Sequence, residues 1–480
     1  MELDYTGHPF FDVGLSTLTA FAGKKYPREL NEQDLYKAAD YMEKNYIMNP
    51  LKSFLTVAFP NSGFTQPAFE KQPEKRKIYA KKVLYAFSAP TTQERDPFTG
   101  LLAASVPYDV DGKLPTGRAF RQHVPLLTAE NVINFHPYGD AGIPLSGISM
   151  LAFQAFPLGC AKVSGRLLAV HTDDADLILF FTRRFLTQNR QNVQLAQTTG
   201  SNKLPDTTTR SARTLLIDHL LEAERELNRS STRLGPITLT AYYFSNSGQG
   251  ADLQIIPLPM EVNRFLRRVQ NPTYKHLWDE LVRRGWQITR NDTEEPKYNR
   301  LYEDLFKLPD QAVYFIRLYF LRKPNRANEK DRKDPTLQYN TKKEMNIISW
   351  ALTEIFLKEV IFMDESRIQS IRELGDGLAQ FIFDRNDRRL FNDFWMAHNY
   401  NELRAALIRA STAEVRRGRK PLITLEQFLS IFEQTEGIPA ADWRLGRDLV
   451  LIRMLEQLYQ KGWVQQYVDE IPEPKLDDTV

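Results

Sequence analysis

Residues 121–174 read RQHVPLLTAENVINFHPYGDAGIPLSGISMLAFQAFPLGCAKVSGRLLAVHTDD. Pro125, Pro137, Pro144 and Pro157 exclude one continuous helix, because each proline removes a backbone donor and fixes its own φ. The apolar runs Ile148 to Phe156 and Leu167 to Val170 exclude a disordered linker. The stretch is therefore ordered, irregular and rich in turns, the kind of segment that carries function. It also holds the single cysteine, Cys160. An irregular mixed α/β region follows from it.

Upstream, GHPFFDVGLSTLTAFAGKKYP reads as a short loop and a small-residue helix that ends before Pro27 and Asn31. Leu35, Ala38, Ala39 and Met42 share one helical face and predict a helix over Glu32–Tyr46. Phe54 to Phe59 is a short apolar strand or helix end. Asn61-Ser62-Gly63-Phe64 is a turn, and Lys71 to Leu84 is a basic helix. Residues 88–118 read as loop. Leu177 to Leu186 is an apolar strand or helix, and the Gln/Asn/Thr/Ser-rich 187–213 a flexible polar insertion.

Leu215 to Leu227 is helical. Pro236 to Phe244 alternates as a strand, with Asp252 to Leu258 as its hairpin partner across SNSGQGA. Glu261–Val269 and Tyr274–Arg284 are helices. Residues 322–344 form a basic linker, with eight Lys/Arg against three acids over 322–343. Beyond it the pattern is helical. Ile368, Ile371, Leu374 and Leu378 keep the 3.6 period, Thr424 with Gln427 makes a capping box, and Gly462 ends the last long helix. Helices with short connections predict an antiparallel bundle. The class expected is α+β, an irregular N-terminal α/β region (1–321) followed by the linker, a helical bundle (345–464) and an acidic tail (465–480).

The chain has 480 residues, 42% hydrophobic and 26% charged. Those proportions are ordinary for a globular protein. No apolar run reaches the roughly 18 residues that span a bilayer. The N-terminus lacks a signal-peptide pattern, so a cytoplasmic protein with no membrane partner is expected. One cysteine leaves neither a disulfide framework nor a thiolate zinc site. Net charge is +3 but uneven. Residues 345–480 hold 17 Lys/Arg against 22 acids, and residues 1–344 hold 46 against 38. A basic front half points mildly to a polyanion partner.

Catalytic signatures are absent: no phosphate-binding GxxxxGK[ST] loop, no GxGxxG after a strand, no GxSxG elbow and no HExxH. His136, Asp140, His171 and Asp173 fall in one region and sketch a metal-dependent nuclease, but without a recurring ligand spacing. Cys160 with His171 could be drawn as a nucleophile pair, although a lone cysteine in apolar surroundings is more often a small buried hydrophobe. The binding candidates are richer. Lys71, Lys75, Arg76, Lys77, Lys81 and Lys82 crowd one short helix. Arg264, Arg267 and Arg268 share a helix face. Arg283, Arg284 and Arg290 surround Trp286. Arg416, Arg417, Arg419 and Lys420 lie between two bundle helices. Each cluster alone reads as solvated surface; four of them without an enzyme motif favour phosphate-backbone contacts.

Four blocks carry a family resemblance: GHPFFDVG (7–14), NPLKSFLTVAFPNSGFTQPAF (49–69), RQHVPLLTAENVINFHPYGDAGIPLSG (121–147) and AFPLGCAKVSGRLLAVHTDD (155–174). In these the chain resembles the large subunit of type I-B CRISPR Cascade, in its Tneap-type branch. The blocks cover parts of the first 175 residues; beyond them the likeness is architectural. Members of that branch tend to carry cysteine pairs that imply a zinc finger. Here Ser149 and Val163 stand at two of those positions and only Cys160 remains, so no cofactor is expected. The departure fits a divergent lineage, including a transposon-associated one.

The resemblance implies a non-catalytic subunit whose complex reads target sequence through its crRNA. The protein itself inspects the short flanking motif (PAM) in double-stranded DNA and supports R-loop formation. Asn61, Ser62 and Gln66 are the expected motif readers, with Phe64 as a wedge at a base step. The expected partners are crRNA, target DNA, the backbone, crRNA-end-binding and small Cascade subunits, and either a helicase-nuclease for antiviral defence or an adaptor for RNA-guided transposition. The bundle could also be made separately as a small subunit from Met363 or Met345. Lys358-Glu359-Val360 is encodable as a purine-rich ribosome-binding sequence before Met363. The alternatives are the nuclease above and a generic helical scaffold.

Overall fold

The computed structural model describes residues 3–127, 141–227, 237–246, 250–291, 293–325, 331–433 and 443–472. The fold is α+β, with a small antiparallel sheet in the N-terminal half and a helical C-terminal region. The chain divides into two compact units, 1–227 with 235–258, and 228–234 with 259–480.

The first unit contains α1 (Pro9–Phe21), α2 (Glu32–Tyr46), α3 (Leu51–Leu55) and α4 (Pro73–Leu84), then β1 (Thr91–Arg95), β2 (Leu102–Ala104), β3 (Arg118–Ala119) and β4 (Ile143–Pro144). After these come α5 (Gly147–Ala155), β5 (Ala161–Val163), β6 (Arg166–Thr172), α6 (Ala175–Thr199), α7 (Ala212–Glu226), β7 (Leu239–Ser245) and β8 (Asp252–Pro257). β5 to β8 form one antiparallel sheet in chain order. The expected hairpin is β7 with β8, paired from Thr240↔Pro257 to Ser245↔Asp252. Residues 247–249 of its turn lie outside the described residues.

Local chemistry sets the helix ends. Pro9 opens α1 where its missing N–H costs nothing, and the His8 Nδ1 accepts the Phe11 N–H at 3.3 Å. Asn31 and Asp34 close a reciprocal capping box on α2. Every residue of α5 is buried, its polar Ser149 and Gln154 included, so this helix is enclosed on all sides. α1 crosses it closely: a Cβ on Gly14 would stand 2.2 Å from the Ala152 carbonyl oxygen. The Tyr46 hydroxyl donates to the Gln154 carbonyl at 2.7 Å, and the Gln154 amide donates to the His123 carbonyl at 2.8 Å. All four resemblance blocks contribute to this one core.

Two expectations change here. The 187–213 insertion is helical through Thr199, because α6 continues to the left-handed cap at Gly200. Phe185, Asn189 and Val193 fall four apart on its buried side, a period that the polar composition hides. Residues 88–118 carry short strands rather than loop alone.

The second unit holds α8 (Met260–Val269), α9 (Pro272–Arg284), α10 (Arg300–Leu305), α11 (Ala312–Phe315), α12 (Trp350–Phe356) and α13 (Glu365–Arg385). It continues with α14 (Arg388–Trp395), α15 (Tyr400–Val415), α16 (Leu425–Phe432), α17 (Trp443–Gln460) and α18 (Trp463–Tyr467). The capping box at Thr424 and Gln427 forms. The boundary at 321 and the linker at 322–344 do not match the structure. Phe265 meets Trp278 and Phe356 edge-on, and Phe315 stacks on Phe356 at 5.1 Å, so residues 259–321 share a core with the bundle. The described linker charges turn inward. Arg322 is fully buried, donates to Glu344 at 3.1 Å and lies over the Tyr339 ring at 3.4 Å. Asp334, also fully buried, pairs with Arg300 at 3.3 Å. The start of the acidic tail is packed too: the Trp395 indole donates to the Pro472 carbonyl. Among the described residues, no helix is long and apolar enough to cross a membrane.

Candidate nucleic-acid interface

The turn after α3 presents two of its three expected readers. Asn61 is exposed with φ +61, and Gln66 is half-buried. Ser62 and Phe64 are fully buried. The Ser62 hydroxyl donates to the Tyr79 hydroxyl at 3.4 Å, and the Phe64 ring packs edge-on against Tyr46 and Tyr79. Phe64 is thus a core residue with no face free to wedge a base step. Turn propensity in the sequence says nothing about where that ring goes.

The cations of α4, and Lys71 two residues before it, part ways. Lys71, Lys77 and Lys81 are exposed, with Lys77 held by Glu74 at 3.1 Å. Lys75 leans over the Phe69 ring. Lys82 donates to the Asp109 and Val110 carbonyls at 2.7 and 3.2 Å and ties down a loop. Arg76 is about nine-tenths buried, and its Nε and Nη2 find no hydrogen-bond partner.

In the second unit, Arg264 lies over the Phe362 ring at 5.0 Å and Arg268 pairs with Glu359 at 3.1 Å. Arg267 is half-buried beside them on α8. Arg283 and Arg284 both hold Glu280, at 2.7 and 2.8 Å, and Arg284 also binds Glu344. The hydrogen bonds from Arg283, then Arg284, pull the Glu280 carboxyl down to about 2. Arg290 is exposed, and Trp286 packs edge-on against Tyr302. All of these arginines except Arg290 are engaged within the protein.

The loop after α15 differs. Arg416, Arg417, Arg419 and Lys420 are all exposed around Gly418, whose φ of +71 turns the chain. Arg419 approaches Glu414 at 3.5 Å, but Glu414 also binds Arg385. Among the described residues, no carboxylate pairs with Arg416, Arg417 or Lys420. Two dibasic pairs outside any motif, Lys24-Lys25 and Arg183-Arg184, also meet, at one cleft of the first unit.

The catalytic sketch gains no assembled site. His136 and Asp140 lie outside the described residues. The His171 Nε2 stands 3.0 Å from the Asp12 carboxylate, and Asp173 accepts the Thr238 N–H at 3.0 Å. Among the described residues, no group of three His, Cys, Asp or Glu side chains could hold a metal ion. The residues at the positions where the resemblance expects cysteines do not fit zinc either. Ser149, Cys160 and Val163 are fully buried, the Cys160 thiol donates to the Phe156 carbonyl, and burial pushes that thiol well above its usual pKa.

No protein-family model, curated protein or solved structure matches the chain.

Proposed function

We propose that this chain is the non-catalytic large subunit of a type I-B CRISPR Cascade complex, which inspects the PAM and supports crRNA-guided R-loop formation. The observation that carries the reading is the set of four sequence blocks, which fold together into the core of one unit. Exposed cations at Lys71, Lys81, Arg416, Arg417 and Lys420 supply sequence-independent phosphate contacts in this reading. Asn61 and Gln66 read base edges. No step requires a catalytic residue or a metal. The crRNA and the other Cascade subunits are the partners, and defence or transposition depends on whether a helicase-nuclease or a transposition adaptor joins them.

A separate small subunit is part of the same proposal. Met363 directly precedes Asp364, which caps the first turn of α13. A product of residues 363–480 begins at that natural break. A start at Met345 retains α12, whose Trp350 N–H donates to Glu456 on α17 at 3.0 Å.

The test is binding of the assembled complex to guide-matched duplexes with randomised flanks. The expected result is a narrow set of bound flanks, lost or broadened by Asn61→Ala with Gln66→Ala. Equal binding to every flank would rule out motif reading by this subunit.

A further inference from the structure

The turn after α1, the first half of α6 and the end of α7 enclose a cleft of about 530 Å³. Its lining includes Lys24, Lys25, Arg183, Arg184, Phe180 and Thr187, with Asp176 and Glu226 as its acids. Two of the four cations have carboxylate partners: Lys25 is 3.7 Å from Asp176, and Arg184 is 3.0 Å from Glu222. Lys24 and Arg183 have none among the described residues. The fold nevertheless holds them together, with an Arg183 guanidinium nitrogen 3.5 Å from the Lys24 carbonyl oxygen. Neither charge is neutralised by a carboxylate among the described residues, so both attract an anion placed in the cleft.

The rest of the lining selects among anions. Phe180 is only half-buried and offers a ring beside the unpaired charges. Nearby rings already carry cations: Lys25 and Arg28 lie 5.1 and 4.9 Å from the Tyr26 ring centre, and Arg190 lies 5.2 Å from Phe21. Cations interleaved with aromatic rings match a sugar-phosphate backbone carrying stackable bases. The volume falls within the ~300–1,000 Å³ of pockets that take one small molecule. It admits an unpaired nucleotide, whereas a duplex keeps its bases stacked inside.

From this we infer that the cleft binds single-stranded nucleic acid. Lys24 and Arg183 hold a backbone phosphate, Phe180 stacks a base, and Thr187 offers a hydroxyl to the sugar or phosphate. The inference rests on reading the chain as a nucleic-acid binder, but it needs no guide and no other subunit.

The experiment is fluorescence anisotropy of the full chain with labelled oligothymidylate and oligouridylate across a salt series. Lys24→Glu with Arg183→Glu is expected to weaken binding at least tenfold. The salt slope should fall by about 0.7, the value for one lost single-strand phosphate contact. Phe180→Ala should weaken binding about tenfold with an unchanged slope, and Phe180→Trp should restore it. Lys37→Glu, an exposed charge on α2, should change neither affinity nor slope by a comparable amount. Melting curves of each variant separate lost binding from lost folding, and Arg183→Glu alone serves if the double variant does not fold. Unchanged affinity in folded cleft variants overturns the cleft while leaving the Cascade reading standing. No oligonucleotide binding by the wild-type chain overturns the cleft too, and inorganic triphosphate competing as well as the oligonucleotide assigns it to a small anion instead. A complex that assembles with RNA but ignores PAM flanks would sink the Cascade role and spare the cleft.

Discussion

Asp12 on α1 and His171 on β6 meet at 3.0 Å across 159 positions of sequence. Asp12 is 1% exposed and takes three further donors: the Thr6 N–H at 2.8 Å, the Thr6 hydroxyl at 3.1 Å and the Gly7 N–H at 2.8 Å. The first and last resemblance blocks are joined by this carboxylate. It locks the loop before α1 onto the sheet.

The two partners should therefore respond unequally to mutation. Asp12→Ala strands several donors and should cost about 3 kcal/mol, whereas His171→Ala removes one donor of four and should cost about 1 kcal/mol. Urea denaturation checks both. Metal-dependent DNA cleavage by the wild-type chain, abolished by His171→Ala without loss of stability, would instead support a nuclease.

Acid should destabilise the chain through His123. This histidine is fully buried; its Nδ1 accepts the Phe120 N–H at 3.1 Å and its Nε2 stands 2.8 Å from the Tyr108 carbonyl oxygen. Both contacts together fit the neutral ring with its proton on Nε2. Burial pushes its pKa down to about 4 from 6.5. The unfolded chain thus binds this proton at a higher pH than the folded one. The stabilisation is fully present above roughly pH 6.5 and is lost as pH falls through 4, about 3 kcal/mol in all. Unfolding free energies at pH 7.5 and pH 5 should show the loss, and His123→Gln should flatten it even if that variant starts less stable.

A carboxylate anchors the second unit. Asp448 is fully buried and meets Arg317 at 2.7 Å, Lys323 at 3.3 Å and Arg447 at 2.8 Å. These cations hold its carboxyl below the usual range, against the opposing effect of burial. Asp448→Asn removes the charge that balances them and should cost about 3–5 kcal/mol. A melting-temperature shift no larger than that of an exposed Asp111→Asn control would contradict this arrangement. A bundle produced from Met363 or Met345 lacks Arg317 and Lys323, so it should be less stable alone than within the full chain.

Periodic features were legible in sequence. The face of Leu35, Ala38, Ala39 and Met42 gave the span of α2, and strand alternation gave the β7–β8 hairpin. The folded-in linker was not legible. Arg322 finds Glu344 after 22 residues and Arg300 finds Asp334 after 34, so its charges balance in space and not along the chain. Site chemistry was harder still. Charge runs marked Lys82 and Arg284 as cations, but the Asp109 carbonyl and Glu344 that hold them come from packing, while Glu280 is the i,i+4 neighbour of Arg284 on α9. The Lys24–Arg183 juxtaposition needed the turn after α1 placed beside the first half of α6.

The loop after α15 should contribute to nucleic-acid affinity without contributing to stability. Arg416→Ala, Arg417→Ala and Lys420→Ala together should reduce the salt slope of binding by roughly 2–3 if all three touch phosphates. Melting should change by less than about 0.5 kcal/mol equivalent, as for other exposed substitutions. Arg283→Ala with Arg284→Ala should do the reverse, weakening the fold around Glu280 and Glu344 while leaving the salt slope alone.

The central claim is that this chain works inside an RNA-guided complex. Affinity purification of the tagged full chain, expressed with its neighbouring genes, tests it most directly. The account predicts recovery of several subunits with RNA of uniform length that shares one 5′ sequence derived from a repeat array. Recovery of the folded chain alone, with neither RNA nor partner subunits, would contradict it.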